Sequence, residues 1–470
     1  MDKITFSGID LILIFLYFST VVFMGFRAGR KKNNDPENFL LAGRRLTVPG
    51  FVATLVVTFY GGILGIGEFS YQHGLSTWIV LGFPFYIFSA LFAVLLAGKI
   101  REGESLTMPD RLYESFGKTT GIFGSLLIFL ISSPAPYVLM LGVLLQLIFG
   151  WSFGLSIVMG ALLSVVYIYS GGFSAVAQTD KLQFVLMYSG FVMLLFFAVS
   201  KLGGIGYISS SVPNLHLTWQ GSISIEYIIV WFFIALWTLV DPSFHQRCAA
   251  AKNPSVARRG IFIAIGFWVL FDFMTISAGL YARALLPGIS PVQAYPLLAE
   301  AILPPVAKGL FFIGMLSTIM STVDSLTLIS GATIGRDLIW RLRKDRADDS
   351  ASNTKIGIII TLITAIVISY LIPSVIGIWY SFGSVLIPAL LIPVVSTYFP
   401  RYRLLGNHTL WLMLSAFTIS SVLLIIGFYN GSQLEPLYLF GVEPIFPGLA
   451  VSFMLYFIFR WMTIREQSGR

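Results

Sequence analysis

From Gly314 to Leu326 the chain reads GMLSTIMSTVDSL. Six of these thirteen residues carry a side-chain oxygen: Ser317, Thr318, Ser321, Thr322, Asp324 and Ser325. They lie in an apolar span, 304–332, long enough to cross a bilayer. A carboxylate in such a span is costly and marks an ion or proton path. At about 100° per residue, Thr318, Ser321 and Ser325 share one helix face, with Thr322 and Asp324 on its flanks. A small hard cation needs several oxygens at close range to replace its water shell. Hydroxyls at i and i+1 with a carboxylate at i+3 supply them. The structural alternative has the hydroxyls bonding back to i−4 carbonyls while Asp324 reaches for the surface. It accounts for each residue singly and leaves the density of oxygens unexplained.

Backbone carbonyls are the other source of oxygen, and an interrupted helix frees them. The span 48–70 contains Gly61, Gly62, Gly65 and Gly67 within seven residues, poor material for a continuous helix. Close helix packing also selects glycine, and the two roles can coexist. The span 225–245 holds Trp237-Thr238-Leu239-Val240-Asp241-Pro242, where proline breaks the hydrogen-bond ladder or merely kinks the helix. A third segment, Tyr169 to Gln183, reads as a link between two helices. Its Asp180 either caps the following helix or faces the ion site. Around the breaks, Tyr60, Tyr137, Trp237 and Trp379, with Glu68 and Asp241 as polar groups, are candidates to line a solute site. Any one of these aromatics serves equally well as packing or as an interfacial belt residue.

These groups need elements to hold them, and composition says which. The chain has 470 residues, 56% hydrophobic and 11% charged, with a mean hydropathy of +0.85. A soluble domain carries about 25% charged residues, so lipid must be the solvent for much of this surface. A membrane helix takes roughly 20 apolar residues. Thirteen apolar stretches alternate with short polar loops: 8–26, 48–70, 77–98, 119–148, 155–173, 180–201, 225–245, 260–286, 304–332, 354–372, 375–398, 407–427 and 442–462. With the N-terminus placed outside, 26 of the 30 basic residues fall on the inner side. The outer four are Lys3, Lys201, Arg283 and Lys308. Cytoplasmic loops attract positive charge, so the net charge of +8 is a topology signal and not a nucleic-acid footprint. The expected fold is therefore all-α and membrane-embedded, a single transmembrane domain over 1–470 with its C-terminus cytoplasmic. Setting aside the peripheral helices 8–26, 407–427 and 442–462 leaves five helices in 48–201 and five in 225–398. Five is odd, so the second set enters the membrane inverted, an arrangement common among secondary transporters.

Other chemistries find little support. The single cysteine, Cys248, forms no internal disulfide and no paired-cysteine metal site, and reads as an inert residue near a helix end. The four histidines, His73, His216, His245 and His408, show no ligand spacing and read as surface or interfacial. No nucleophile and base stand together, so an enzyme is not expected. No repeated pore motif points to a channel. No carboxylate–arginine pair within a span announces an anionic or zwitterionic solute.

Five segments, in order along the chain, resemble those of the sodium/solute symporter family, which includes sugar, proline, pantothenate and sialic acid symporters. They are Phe39-Leu40-Leu41-Ala42-Gly43-Arg44-Arg45-Leu46; the glycines after Tyr60; Gly171-Gly172 through Thr179-Asp180-Lys181-Leu182-Gln183; Gln246-Arg247-Cys248-Ala249-Ala250-Ala251-Lys252; and Met320-Ser321-Thr322-Val323-Asp324-Ser325. The resemblance implies a LeuT-type core of five plus five inverted helices, one helix before it and two after. It implies sodium-driven import of a small organic solute across the plasma (inner) membrane by alternating access. A main sodium site would use the hydroxyls of Ser321 and Thr322, the carbonyl of Thr318, and carbonyls near Phe59 and Gly62, to within about a residue. A second sodium, bound by some members, would fall on Asp180, Ser321, Asp324 and Ser325. Asp324 departs from the hydroxyl some members have there, which either tightens ion binding or makes the site proton-sensitive. The alternative on the same fold is a proton-coupled or uncoupled carrier, with Asp324 and Asp180 as protonation sites. The stretch around Ser321 is similar to that of pantothenate symporters, which favours an organic acid as solute.

Overall fold

A computed structural model describes residues 4–29, 35–342, 350–431 and 436–468. The basic residues Lys3, Arg30, Lys31, Lys32, Arg343, Lys344, Arg346 and Arg470 of the topology count lie outside the described residues. Among the described residues, twelve helices are long and apolar enough to cross a membrane. In chain order the segments are α1 Gly8–Gly29, α2 Val48–His73, α3 Trp78–Glu102, α4 Lys118–Phe149, the shorter α5 Phe153–Tyr169, α6 Gly171–Leu202, α7 Ile225–Ala250, α8 Pro254–Leu285, α9 Ala307–Trp340, α10 Ser352–Leu371, α11 Val375–Ser396, α12 Gly406–Asn430 and α13 Ile445–Thr463. The stretch expected at 155–173 is thus α5, a helix below the length of the other twelve.

The polar-rich span is the centre of the fold. Its most apolar window in α9 is 100% buried, against 28% for α1, 33% for α12 and 22% for α13. A helix buried all round in a membrane protein must satisfy its polar side chains against other helices, and Thr322, Ser330, Asp324, Ser321 and Ser325 of α9 find partners on α2, α4, α5, α6 and α7 respectively. Two of the family-like segments dock on one another at one end of the bundle. Leu46 N–H donates to the Ala250 carbonyl at 3.0 Å, and Lys252 N–H to the Leu46 carbonyl at 2.9 Å. The Gln246 side-chain amide donates to the Leu40 carbonyl at 3.0 Å.

Four expectations are corrected. The segment from Tyr169 to Gln183 is not a loop. Gly172, at φ +53°, makes one sharp kink, and α6 is already helical through Asp180, so that residue caps nothing. The +53° angle favours glycine, and a Cβ there would lie 2.4 Å from the Phe39 carbonyl oxygen. Arg247, counted among the 26 inner basic residues, does not lie in a loop: α7 continues to Ala250 and carries it into the core at 0% exposure. Arg247 and Asp180 therefore form the carboxylate–arginine pair within the spans that was not anticipated. His216 and His245 are buried, not interfacial; His245 Nδ1 is 3.1 Å from the Tyr398 hydroxyl and its Nε2 is 3.2 Å from the Leu239 carbonyl.

Candidate functional site

Three helices are interrupted at mid-length, and they converge on α9. In α2 the α-helix Val48–Phe59 passes through a 3-10 turn, Tyr60–Gly62, before resuming at Ile63. In α7 the breaks fall after Ile234 and at Asp241, whose φ/ψ of −72°/114° is extended. Asp241 caps the second half, its Oδ1 accepting from Ser243 N–H at 2.6 Å. The third break, in α4, was not expected, although Ser132-Ser133-Pro134-Ala135-Pro136 carries its signal. There Ser330 of α9 donates to the Ser132 carbonyl at 2.8 Å.

The turn of α2 lies directly on α9. Thr322 Oγ1 donates to the Thr58 carbonyl at 2.7 Å and is 3.2 Å from the Thr318 carbonyl. A Cβ on Gly61 would stand 2.0 Å from Thr322 Oγ1, and one on Gly62 would stand 2.1 Å from Cη2 of Trp379. Both glycines thus open the backbone and permit close approach. The carbonyl that touches α9 is that of Thr58, one residue before Phe59, and Gly61 rather than Gly62 packs on Thr322. Phe59 and Gly62 instead face a neighbouring cavity. On the sodium site that the resemblance implies, Gly61→Ala is expected to push the turn off α9 and raise the sodium needed for half-maximal uptake about tenfold, equivalent to ~1.4 kcal/mol. A sodium activation curve reads this directly; an unshifted curve would mean the contact has no part in ion binding.

Beside that contact is a buried polar cluster. Ser321 Oγ donates to Asp180 Oδ1 at 2.6 Å and is 3.0 Å from Thr58 Oγ1. The Thr54 hydroxyl donates to Asp180 Oδ2. Arg247 Nη2 donates to Thr58 Oγ1 and to Ser325 Oγ, each at 2.7 Å, and lies 3.9 Å from Asp180 Oδ2. Its Nη1 donates to the Ser243 carbonyl at 3.2 Å. A buried charge is tolerated where it is paired and hydrogen-bonded. Here Arg247 and Asp180 meet that condition jointly and tie α2, α6, α7 and α9 together. Of the second candidate set, the structure brings Asp180, Ser321 and Ser325 together around the guanidinium. Asp324 is turned away from them. One of its carboxylate oxygens accepts from the Tyr167 hydroxyl of α5, and the other has no hydrogen-bond partner among the described residues.

Next to the α2–α9 contact, α2, α3, α4, α7, α9 and α11 enclose a cavity of about 120 Å³. Tyr137, Trp237, Asp241 and Trp379 all line it. Tyr60 and Glu68 do not. Tyr60 is fully buried, its hydroxyl 2.7 Å from Asp272 Oδ1 and 2.8 Å from the Trp268 carbonyl of α8. The Tyr86 hydroxyl of α3 donates to the same carboxylate. Asp272 thus anchors the interrupted turn to α8. Its signal in the sequence is a carboxylate within the apolar span 260–286, the same signal that Asp324 carries in 304–332. Glu68 lies on the far half of α2, beyond the cavity wall.

Comparison with known proteins accords with this geometry. A sequence profile of the sodium:solute symporter family matches residues 39–376, more than half of the chain. The chain is 25% identical over 484 residues to the sodium/pantothenate symporter of Escherichia coli (strain K12), covering 96% of each. It is 26% identical over 408 residues to high-affinity choline transporter 1 of Drosophila melanogaster, covering 82% of this chain and 65% of that one. A solved structure of a Na+-coupled sialic acid symporter in a substrate-bound outward-open state shares the fold, with a TM-score of 0.79 at 15% identity over 97% of this chain and 99% of that one. An all-helical bundle with interrupted helices against a polar central helix, matched over this length, makes the chain a member of the sodium:solute symporter family.

Proposed function

We propose that the protein imports a small organic solute by sodium-coupled symport and alternating access, with the solute held in the cavity between α2, α7 and α11. The observation that carries the reading is the approach of Thr322 to the opened turn of α2, 2.7 Å from hydroxyl to carbonyl. Hydroxyls and carbonyls are neutral hard donors, a set suited to a small monovalent cation. On this reading sodium is bound by the Thr318 carbonyl, the hydroxyls of Ser321 and Thr322, and carbonyls of the turn. Those carbonyls belong to Thr58 and Gly61, one residue before the Phe59 and Gly62 that the resemblance implies. Bound sodium holds α2 to α9, favours the outward-open state, and so raises solute affinity. The linkage is reciprocal. One sodium moves per cycle, because a tethered guanidinium already serves the Asp180–Ser325 nest.

The same proposal takes α5 as a thirteenth membrane helix and α2–α6 and α7–α11 as inverted repeats (48–201 and 225–398). It places the N-terminus outside and the C-terminus in the cytoplasm of a plasma-membrane protein. What supports this is the split of basic residues, 25 inner to 4 outer once the buried Arg247 is set aside from the 26, and the pairing of breaks in the first helix of each half. Proteoliposomes given only a sodium gradient, then only a proton gradient, test the coupling. Uptake above equilibrium is expected with sodium alone. Accumulation driven by protons and indifferent to sodium would replace this reading with the proton-coupled one.

A further inference from the structure

The cavity that symport assigns to the solute has an unusual wall. Phe59, Tyr137, Trp231, Trp237, Phe244 and Trp379 all contribute aromatic rings, and Phe85 adds another. The Tyr137 and Trp379 ring centres are 6.2 Å apart. A single acidic side chain, Asp241, lies among the lining residues. Its carboxylate accepts from Ser243 N–H at 2.6 Å and forms no ion pair among the described residues, although the Arg247 guanidinium acts on it through space. Arg247, the nearest arginine or lysine in sequence, does not line the cavity and is paired with Asp180. No lysine, arginine or histidine among the described residues lines the wall.

Each class of solute meets this wall differently. A carboxylate would face Asp241 with no counter-charge. A polyhydroxylated sugar needs many partners; the hydroxyls of Thr58 and Thr322 are already engaged, which leaves Ser243, Tyr137 and the indole N–H groups as the other neutral polar groups of a mostly aromatic wall, and sugar groups left unmet would each carry a desolvation cost. A primary ammonium needs several acceptors, and the wall offers few. A cation whose charge is spread over methyl groups needs none: it is held by the negative faces of aromatic rings and by one carboxylate. We propose that the solute is a small alkylated ammonium cation, caged by the aromatic residues with Asp241 as its counter-ion. The organic acid favoured by the stretch around Ser321 is then the wrong charge for this cavity. The inference rests on the symport reading of the same cavity.

The test uses the purified full-length chain in detergent, with thermal protection and equilibrium binding read in sodium chloride and in potassium chloride. The probes are choline, tetramethylammonium, the neutral isostere of choline with carbon in place of nitrogen, pantothenate and glucose. Choline and tetramethylammonium are expected to protect in sodium; the isostere, pantothenate and glucose are not. Asp241→Asn is expected to weaken choline binding at least about tenfold while keeping the stabilisation by sodium alone. Trp379→Leu should weaken choline more than it weakens sodium. Protection by pantothenate or glucose without protection by either ammonium would overturn the proposal. So would sodium stabilisation with no ammonium binding, or equal binding of choline and its isostere. If sodium itself gave no stabilisation while ammonium bound, the sodium coupling would fail and the cage would stand.

Discussion

Replacing Ser321 and Thr322 together with alanine is expected to abolish sodium-stimulated uptake while the chain still folds and inserts. The two hydroxyls are the only side-chain oxygens in the proposed main site, the other donors being carbonyls. Losing a hydrogen-bonding or ligating group at a buried site costs about 1–3 kcal/mol, so the pair is expected to weaken sodium binding on the order of a hundredfold or more. Each hydroxyl also helps hold the bundle together, since Ser321 donates to Asp180 at 2.6 Å and Thr322 to the Thr58 carbonyl at 2.7 Å. Folding should nevertheless survive, because Asp180 keeps Thr54 and Arg247, and the Thr58 carbonyl belongs to a helix that is anchored separately by Tyr60 on Asp272. Uptake as a function of sodium, with membrane abundance as control, is the measurement. An abundant double variant with an unaltered sodium curve would remove the site from the mechanism.

The second large effect concerns the buried pair. Arg247→Gln removes the charge opposite Asp180, and its shorter side chain also withdraws the donor from Thr58 and Ser325. Removing one partner of a buried ion pair costs ~3–5 kcal/mol because the other is left uncompensated. The single variant is therefore expected to melt well below the wild type in detergent and to lose uptake. Adding Asp180→Asn removes the orphaned charge and should restore at least half of the lost stability, a coupling visible in a double-mutant cycle. Uptake should not return with it, since Asp180 also holds Ser321. Equal stability of wild type and Arg247→Gln would show that the guanidinium is not what neutralises Asp180.

These outcomes separate two kinds of information. The apolar spans, the glycine and proline interruptions of α2 and α7, and the row of oxygens on α9 are local properties of the chain, so they are legible before any fold is known. The family motifs are legible for the same reason: they are short runs whose side chains are the signal. Rotation and register are not. Because α9 is buried on every side, its polar residues point to several neighbours at once, and no amphipathic stripe tells Ser321, which meets Asp180, from Asp324, which meets Tyr167. Carbonyl donors carry no side-chain mark, so the step from Phe59 to Thr58 needs the docked backbone. Arg247 reads as one more positive charge in an inner loop until the continuation of α7 to Ala250 draws it inside. Tyr60 and Trp379 are equally plausible wall residues by type. Only the packing of α8 and α11 sends one to Asp272 and the other to the cavity. Residue order alone was enough to put polar oxygens in a membrane beside broken helices. Which of those oxygens meet followed only from the packed bundle, since that depends on helix rotation and on contacts between residues far apart in the chain.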